Sequence, residues 1–485
     1  MRLSQLASES VSPDPQITGL TADSRAVSRG FLFAALPGMN ADGAKFIPQA
    51  EEKGAAAILA KTGAKSTLPI IFDDEPRKRL AQMAARFYPR QPDTIAGITG
   101  TNGKTSTARF AAQLWSRLDR SAGSLGTLGA EADKYKRKLI HTTPDPVGLH
   151  ETLQEMADAG VTHLAMEVSS HGLAQFRADG VTFKIAAFTN ITQDHLDYHP
   201  TFEDYFAAKA RLFDELLAGD GVVVINMDGE GADAIADRAR KRGVSNLTTG
   251  AKGSDLKLLA CEPHATGLKL EIEASASRYQ IDTPLIGNFQ AENLLVAAGI
   301  VIASGAAPSA VMSRLGTVTG AAGRMQSVGS QDGGSSVLSM GVFVDYAHTP
   351  DAVATALKAI RPHAKARVIA IIGAGGDRDQ SKRSLMGAAA KDNADIVIVT
   401  DDNPRTEEPA AIRQQIMKGC PGAREIGDRG EAIAAGVAML SEGDVLLIMG
   451  KGHETGQKVG DQLLPFDDAA VASAALARRL EEIGR

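Results

Sequence analysis

Short apolar runs rich in β-branched residues alternate with stretches whose apolar positions recur every three or four residues, almost from one end of the chain to the other. A strand followed by a helix-period segment, repeated many times, is the pattern of α/β domains built on largely parallel sheets. The clearest predicted strands cover residues 94–98, 161–166, 367–372, 396–399 and 445–449, and helical segments are predicted over 77–87 and 108–118. No internal repeat, coiled-coil heptad or low-complexity tract interrupts the alternation.

Punctuation divides this pattern into three blocks. Pro89 and Pro92 end the first helical stretch and force extended backbone. Gly316, Gly320 and Gly323 crowd into a short stretch that reads as a hinge or linker. Domains are therefore expected over 1–92, 93–323 and 324–485, in keeping with 485 residues, more than one hydrophobic core usually supports. In the last block each of the three strands ends in a loop rich in Gly or Asp. Ligands of open α/β sheets bind beyond the carboxyl ends of strands, so function is expected there.

Composition narrows the classes. Apolar residues at 44% and charged residues at 23% are ordinary for a folded domain, and a net charge of −6 argues against a nucleic-acid-binding surface. Cys261 and Cys420 are the only cysteines, too few for a disulfide framework or a thiolate metal cage. Residues 1–15 lack an apolar core behind a basic start, and no apolar run approaches the roughly 18 residues needed to span a bilayer. The expectation is a cytoplasmic, monomeric protein whose partners are small molecules, with neither nucleic acid nor membrane among them.

Candidate chemistry begins at Gly100, Thr101, Asn102, Gly103, Lys104, Thr105 and Ser106, between a predicted strand and a predicted helix. Backbone N–H groups of such a loop, with the helix N-terminus, cradle phosphate oxygens. Lys104 is expected over the β/γ-phosphates and the Thr105 hydroxyl on Mg²⁺. The bland alternative is a glycine-rich turn that binds nothing, and Ile98 stands where the usual pattern has its first glycine. The loop alone does not select a reaction, because it serves many. Taken alone, Glu167 at a strand end is ordinarily solvated, and so is Lys209 on a helical stretch. His195 in a polar loop is either a surface histidine or a ligand.

The decisive feature is an ordered set of strings: Thr-Gly-Thr-Asn-Gly-Lys-Thr ending at Thr105, Thr142-Thr143-Pro144, Met166 to His171, Thr189 to Asp197, Asn288 to Asn293, Gly323 to Gln326 and Asp345 to Pro350. Together, and over essentially the whole chain, they resemble the Mur ligase family. The resemblance implies a small N-terminal α/β domain that binds UDP, a central P-loop ATPase-like domain with a mostly parallel sheet, and a C-terminal Rossmann-like α/β domain. It implies ATP-dependent ligation in peptidoglycan precursor synthesis, and hence a part in cell shape and division. Mg²⁺ ions would be held by Thr105, Glu167, His195 and Lys209, the last carbamylated to N6-carboxylysine, with Lys104, Lys209 and His195 as catalytic groups. Asn293, Arg324, Asp345 and His348 would meet ATP away from its phosphates. Ala22, Ser24, Met39, Asn40 and Ala41 would face UDP, and Thr142, Thr143, Ser169, Gln175 and Arg177 the muramyl dipeptide. Met39-Asn40 and His141 depart from the His-Gln and Asn often found in the family at those places.

In the last block the resemblance makes Asp402-Asn403-Pro404-Arg405 a mark of diaminopimelate addition, with Arg378, Gly450 and Glu454 completing the pocket. The chemistry agrees: an arginine fork suits the distal carboxylate, a glutamate the distal ammonium. L-Lysine or another amino acid as acceptor is the alternative, with the enzymes that add D-glutamate or D-alanyl-D-alanine, and folylpolyglutamate synthetase, as further rivals. A dinucleotide-binding oxidoreductase, suggested by Gly373-Ala374-Gly375-Gly376, is disfavoured by Arg378 where the fingerprint needs a small residue. A regulatory nucleotide-binding module would leave the charged pocket unexplained.

Overall fold

The computed structural model describes residues 1–38, 42–192, 198–328 and 340–483. They form two compact units, Met1–Thr249 with Val296–Ala307, and Gly250–Leu295 with Pro308–Arg485.

The first unit opens with four parallel strands in chain order, Gly19–Thr21, Phe31–Ala35, Ala57–Ala60 and Ile70–Phe72. The helix Pro76–Phe87 buries Leu80, Met83 and Ala84 in their core. A second sheet places six strands in parallel, in the order Ser245–Gly250, Leu217–Asn226, Phe183–Phe188, Thr94–Thr99, His163–Glu167 and Ala122–Gly126. Its central strands are buried along almost their full length, as parallel strands covered on both faces must be. The strand predicted to end at residue 166 runs one residue further, and register sets Glu167 beside Ile98, next to the start of the phosphate loop. The helix predicted from residue 108 starts at Lys104, straight after Gly103 with its positive φ of 85°. Without a Ser, Thr or Asp cap, that start carried no capping signal. The helix Phe202–Arg211 continues into a π-helical turn, Leu212–Leu216, a feature frequent at functional sites.

The second unit pairs three antiparallel strands, Leu256–His264, Gly267–Ala274 and Ser277–Thr283. Its main sheet has the order Gln326–Ser327, Gly341–Asp345, Val445–Met449, Val368–Ile372, Ile396–Val399 and Arg424–Glu425, parallel except for the first pair. The three strands with function-bearing loops, 368–372, 396–399 and 445–449, are thus neighbours whose carboxyl ends share one edge.

The glycine-rich stretch expected to be a hinge lies inside this second unit. Close approach accounts for two of its glycines. A Cβ on Gly316 would sit 2.6 Å from the Asp282 carbonyl oxygen, and one on Gly323 2.2 Å from the His453 nitrogen. Among the described residues no helix is long and apolar enough to cross a membrane.

Candidate active site

The phosphate loop leaves the strand Thr94–Thr99 through Gly100, whose φ of 154° and the 1.9 Å that would separate a Cβ from Thr189 Oγ1 exclude any side chain. The end of the neighbouring strand props the loop. Thr101 N–H donates to the Asn190 carbonyl at 2.9 Å, Asn102 N–H to Asn190 Oδ1 at 3.0 Å, and the Thr189 hydroxyl to the Asn102 carbonyl at 2.6 Å. Lys104 Nζ reaches back to the Gly100 and Thr101 carbonyls at 2.9 and 2.8 Å. Lys209 Nζ donates to the same Gly100 carbonyl at 2.7 Å and lies 4.5 Å from the centre of the Tyr205 ring. The Tyr205 hydroxyl in turn bonds Thr101 Oγ1 at 2.9 Å.

Glu167 and Lys209 are both buried, 2% and 1% exposed, against the ordinary expectation for a strand-end glutamate and a helical lysine. The reason is register for one and packing under the loop for the other. Glu167 accepts the Thr105 hydroxyl at 2.9 Å, the Thr127 N–H at 2.9 Å and the Thr127 hydroxyl at 3.3 Å. A buried carboxylate and a hydroxyl at the mouth of a phosphate loop form a hard-oxygen donor set that fits Mg²⁺. From Thr127 the chain of hydroxyls continues to Thr142 Oγ1 at 3.0 Å.

Beside it, Thr143 Oγ1 lies 3.2 Å from Ser169 Oγ and donates to the Glu167 carbonyl at 3.2 Å. Arg177 donates to the Thr143 carbonyl at 2.8 Å and through two nitrogens to Gln175 Oε1. Thr142, Thr143, Ser169, Gln175 and Arg177 are thus one connected group with the metal-type donors. Ser24 lies in the turn after the strand Gly19–Thr21, where its hydroxyl donates to Gln49 Oε1 at 2.7 Å, and Ala22 on the same segment is exposed. Met39, Asn40, Ala41 and His195 lie outside the described residues.

In the second unit a separate group forms around Asp345. Its carboxylate accepts the Met325 and Ala347 N–H groups at 2.8 and 2.9 Å, and burial pushes its pKa up against the pull of Arg324. The Arg324 guanidinium lies over Tyr346 at 4.9 Å, and the Tyr346 ring lies 4.6 Å from His348. Burial pushes the His348 pKa down, which favours the neutral imidazole. Gln290 links Asn293, at 3.0 Å, to the Arg324 carbonyl at 3.4 Å. Asn293, Arg324, Asp345 and His348 are therefore brought together as a set.

The three strand-end loops converge. Arg405 Nη1 donates to the Gly376 carbonyl at 2.8 Å, and the Asn403 amide donates to Glu454 Oε2 at 2.8 Å. Arg405 has a left-handed φ of 52°, fixed by its N–H to the Lys458 carbonyl at 3.0 Å and by Gly460 N–H to its own carbonyl at 2.7 Å. Arg378 is exposed on the neighbouring loop, its Cγ 3.8 Å from where a Cβ on Gly375 would stand. Asp402 and Asn403 are buried, and Gly450 packs against Asp402.

Three family models match: "Mur ligase family, catalytic domain" over residues 16–88, "Mur ligase middle domain" over 98–301, and "Mur ligase, glutamate ligase domain" over 323–452. The chain is 48% identical over 483 residues to the UDP-N-acetylmuramoyl-L-alanyl-D-glutamate–2,6-diaminopimelate ligase of Caulobacter vibrioides, covering 98% of each. The chain belongs to the Mur ligase family. The similarly named protein of Bradyrhizobium diazoefficiens is 48% identical to this Mur ligase over 96% of both. A solved structure of a protein of that name is 32% identical, covers 99% of both chains and superposes with a TM-score of 0.73. MurF from Acinetobacter baumannii, 18% identical with a TM-score of 0.63, shares the three-domain fold. As a member of the family the protein is an ATP-dependent ligase of peptidoglycan precursor synthesis.

Several residues of this Mur ligase that shape the site had no signal in the sequence. Thr127 is one threonine after a strand, yet it tethers Glu167 twice. Arg383, fully buried, forks onto both oxygens of Glu407 at 2.8 Å and donates to the Gly375 carbonyl at 3.1 Å, tying two pocket loops together. Arg429 and Asp468 form a wholly buried pair, and Arg429 also donates to the Asp401 and Met449 carbonyls, the residues just before two pocket loops.

Proposed function

We propose that this ligase adds meso-diaminopimelate to UDP-N-acetylmuramoyl-L-alanyl-D-glutamate in the cytoplasm, by way of an acyl phosphate. The observation that carries the reading is the junction of Asp402–Arg405, Glu454 and Gly376 at one sheet edge, in a chain 48% identical to a ligase of that name. An exposed-side arginine fork with a glutamate nearby matches a distal carboxylate and ammonium, and a lysine acceptor would leave Arg405 without its partner.

Joining a carboxylate to an amine in water is uphill, so the carboxylate first needs a leaving group. The D-glutamyl γ-carboxylate attacks the γ-phosphorus of ATP and ADP departs. The amine then displaces phosphate through a tetrahedral intermediate. Such steps depend on positioning and on neutralising charge. Lys104 and the N–H groups from Gly100 to Ser106 would do this for the phosphates. Thr105, Glu167, His195 and a carbamylated Lys209 would hold Mg²⁺, which supplies further neutralisation of the phosphate oxygens. Two ammonium groups, Lys104 and Lys209, share the Gly100 carbonyl. Carbamylation of Lys209 would replace that repulsion with attraction. Thr142, Thr143, Ser169, Gln175 and Arg177 would hold the muramyl dipeptide, Ala22, Ser24 and residues 39–41 its uridine end, and Asn293, Arg324, Asp345 and His348 the nucleoside of ATP. The three jobs divide among domains at 1–92, 93–323 and 324–485.

The test is phosphate release and product mass with ATP, Mg²⁺ and UDP-muramyl dipeptide, the acceptor being the only variable. Turnover with diaminopimelate well above that with L-lysine or D-alanyl-D-alanine is expected. Preference for either of the others overturns the reading.

A further inference from the structure

Lys451 is the one residue of the pocket loops whose position contradicts its chemistry: a lysine with a side chain 0% exposed. Lysine ammonium groups are almost never fully buried unless every N–H has an acceptor and the charge has a partner. Here all three donors are used. Nζ donates to Asn403 Oδ1 at 3.1 Å, to Glu454 Oε2 at 3.0 Å and to the Gly456 carbonyl at 2.6 Å.

These acceptors come from the loop after strand 396–399 and from the segment after strand 445–449. Asn403 is locked with them. Its Oδ1 also accepts the Lys458 N–H at 2.8 Å, and its amide donates to Glu454 Oε2 at 2.8 Å. Both contacts to the Glu454 carboxylate therefore fall on Oε2. Oε1 receives no hydrogen bond among the described residues, and the side chain is 34% exposed. A carboxylate pinned through one oxygen presents the other in a fixed direction, which is how a pocket is preorganised for an incoming cation.

We propose that Lys451 sets the grip of the acceptor pocket on a distal ammonium by aiming Glu454 through Oε2. The inference rests on the assignment of this pocket to diaminopimelate. Lys451 acts through Glu454 and Asn403 and is a positioning residue.

Steady-state kinetics of the full chain with ATP, Mg²⁺ and UDP-muramyl dipeptide test it. Lys451→Gln keeps a donor and removes the charge. It should raise the diaminopimelate KM about 10- to 100-fold, the scale expected for one lost charge-assisted contact, with kcat and the other two KM values much less affected. Combined with Glu454→Gln, the loss should be clearly smaller than the product of the single losses, because both act through one carboxylate. Multiplicative losses in the double variant, or a loss confined to kcat, overturn the proposal while leaving the pocket assignment standing. A wild-type enzyme that does not use diaminopimelate defeats the assignment instead. Should Lys451→Gln fail to fold, the wild type still decides. Its KM for 2-aminopimelate, which lacks the distal ammonium, should be at least about 10-fold above that for diaminopimelate, and equal KM values overturn the proposal.

Discussion

The phosphate-loop region and the acceptor pocket hold their functional groups by different means. Around the loop, backbone does most of the work. Register puts Glu167 beside Ile98, the strand end at Thr189–Asn190 props Thr101 and Asn102, and one carbonyl, that of Gly100, receives both Lys104 and Lys209. Around the acceptor pocket, buried side-chain charges brace the loops: Lys451 to Glu454, Arg383 to Glu407 and Arg429 to Asp468. Chemistry that every member of a family shares can be built into strand ends. A pocket that selects one acceptor is set by side chains, which can change without moving the sheet.

Variants on the two sides should therefore separate kinetically. Lys104→Ala should abolish phosphate release while the thermal unfolding temperature stays near that of the wild type, because the lysine's hydrogen bonds to the Gly100 and Thr101 carbonyls lie within its own loop. Near-normal turnover from that variant would break the comparison on its first side. Lys209→Ala should lose most activity, and added short-chain carboxylates should restore part of it by standing in for the carbamate. Restoration in the Lys104→Ala protein as well would show that the rescue is not site-specific.

Arg405→Ala should weaken diaminopimelate use by about 30- to 1,000-fold, the range for roughly 2–4 kcal/mol of a bidentate pair. The loss should sit in the acceptor KM, with ATP and UDP-muramyl dipeptide KM values unchanged. A loss confined to kcat would place Arg405 with the phosphate machinery and erase the distinction drawn here.

The smallest effect concerns pH. The Arg383 fork holds the Glu407 pKa well below its ordinary value, at about 2. A carboxylate with a depressed folded pKa contributes stability that is fully present above the unfolded value and is lost as pH falls through the folded one. Urea unfolding should show Glu407→Gln to be the less stable protein at neutral pH. The gap should close between about pH 4.5 and 2. A gap constant over that window would mean that the fork adds no charge-dependent bracing.

The contrast also explains what the sequence disclosed. Gly100 to Ser106 and Asp402 to Arg405 are contiguous, and each sits where a predicted strand stops, so local reading found them. The burial of Glu167 and Lys209 was not legible, because it depends on strand register and on which side of a helix faces the loop. At Gly316–Gly323 glycine marks flexibility and close approach with the same letter, and the close approaches to Asp282 and His453 emerge only in the fold. Arg383 and Glu407, 24 residues apart, look like any two surface charges until the loops converge.

Arg405 carries one more consequence, for anyone who would redesign the protein. An L-residue in the left-handed region costs about 1–2 kcal/mol, a cost glycine does not incur. The guanidinium is thus aimed from a backbone position that most side chains would avoid. Arg405→Gly and Arg405→Ala should be equally crippled toward the acceptor, but the glycine variant should be the more robust molecule, by about 1 kcal/mol in unfolding. A position at which losing the working side chain makes the polypeptide easier to fold is one where activity is maintained against the grain of the chain, and laboratory selection for heat resistance alone would be expected to erode it first.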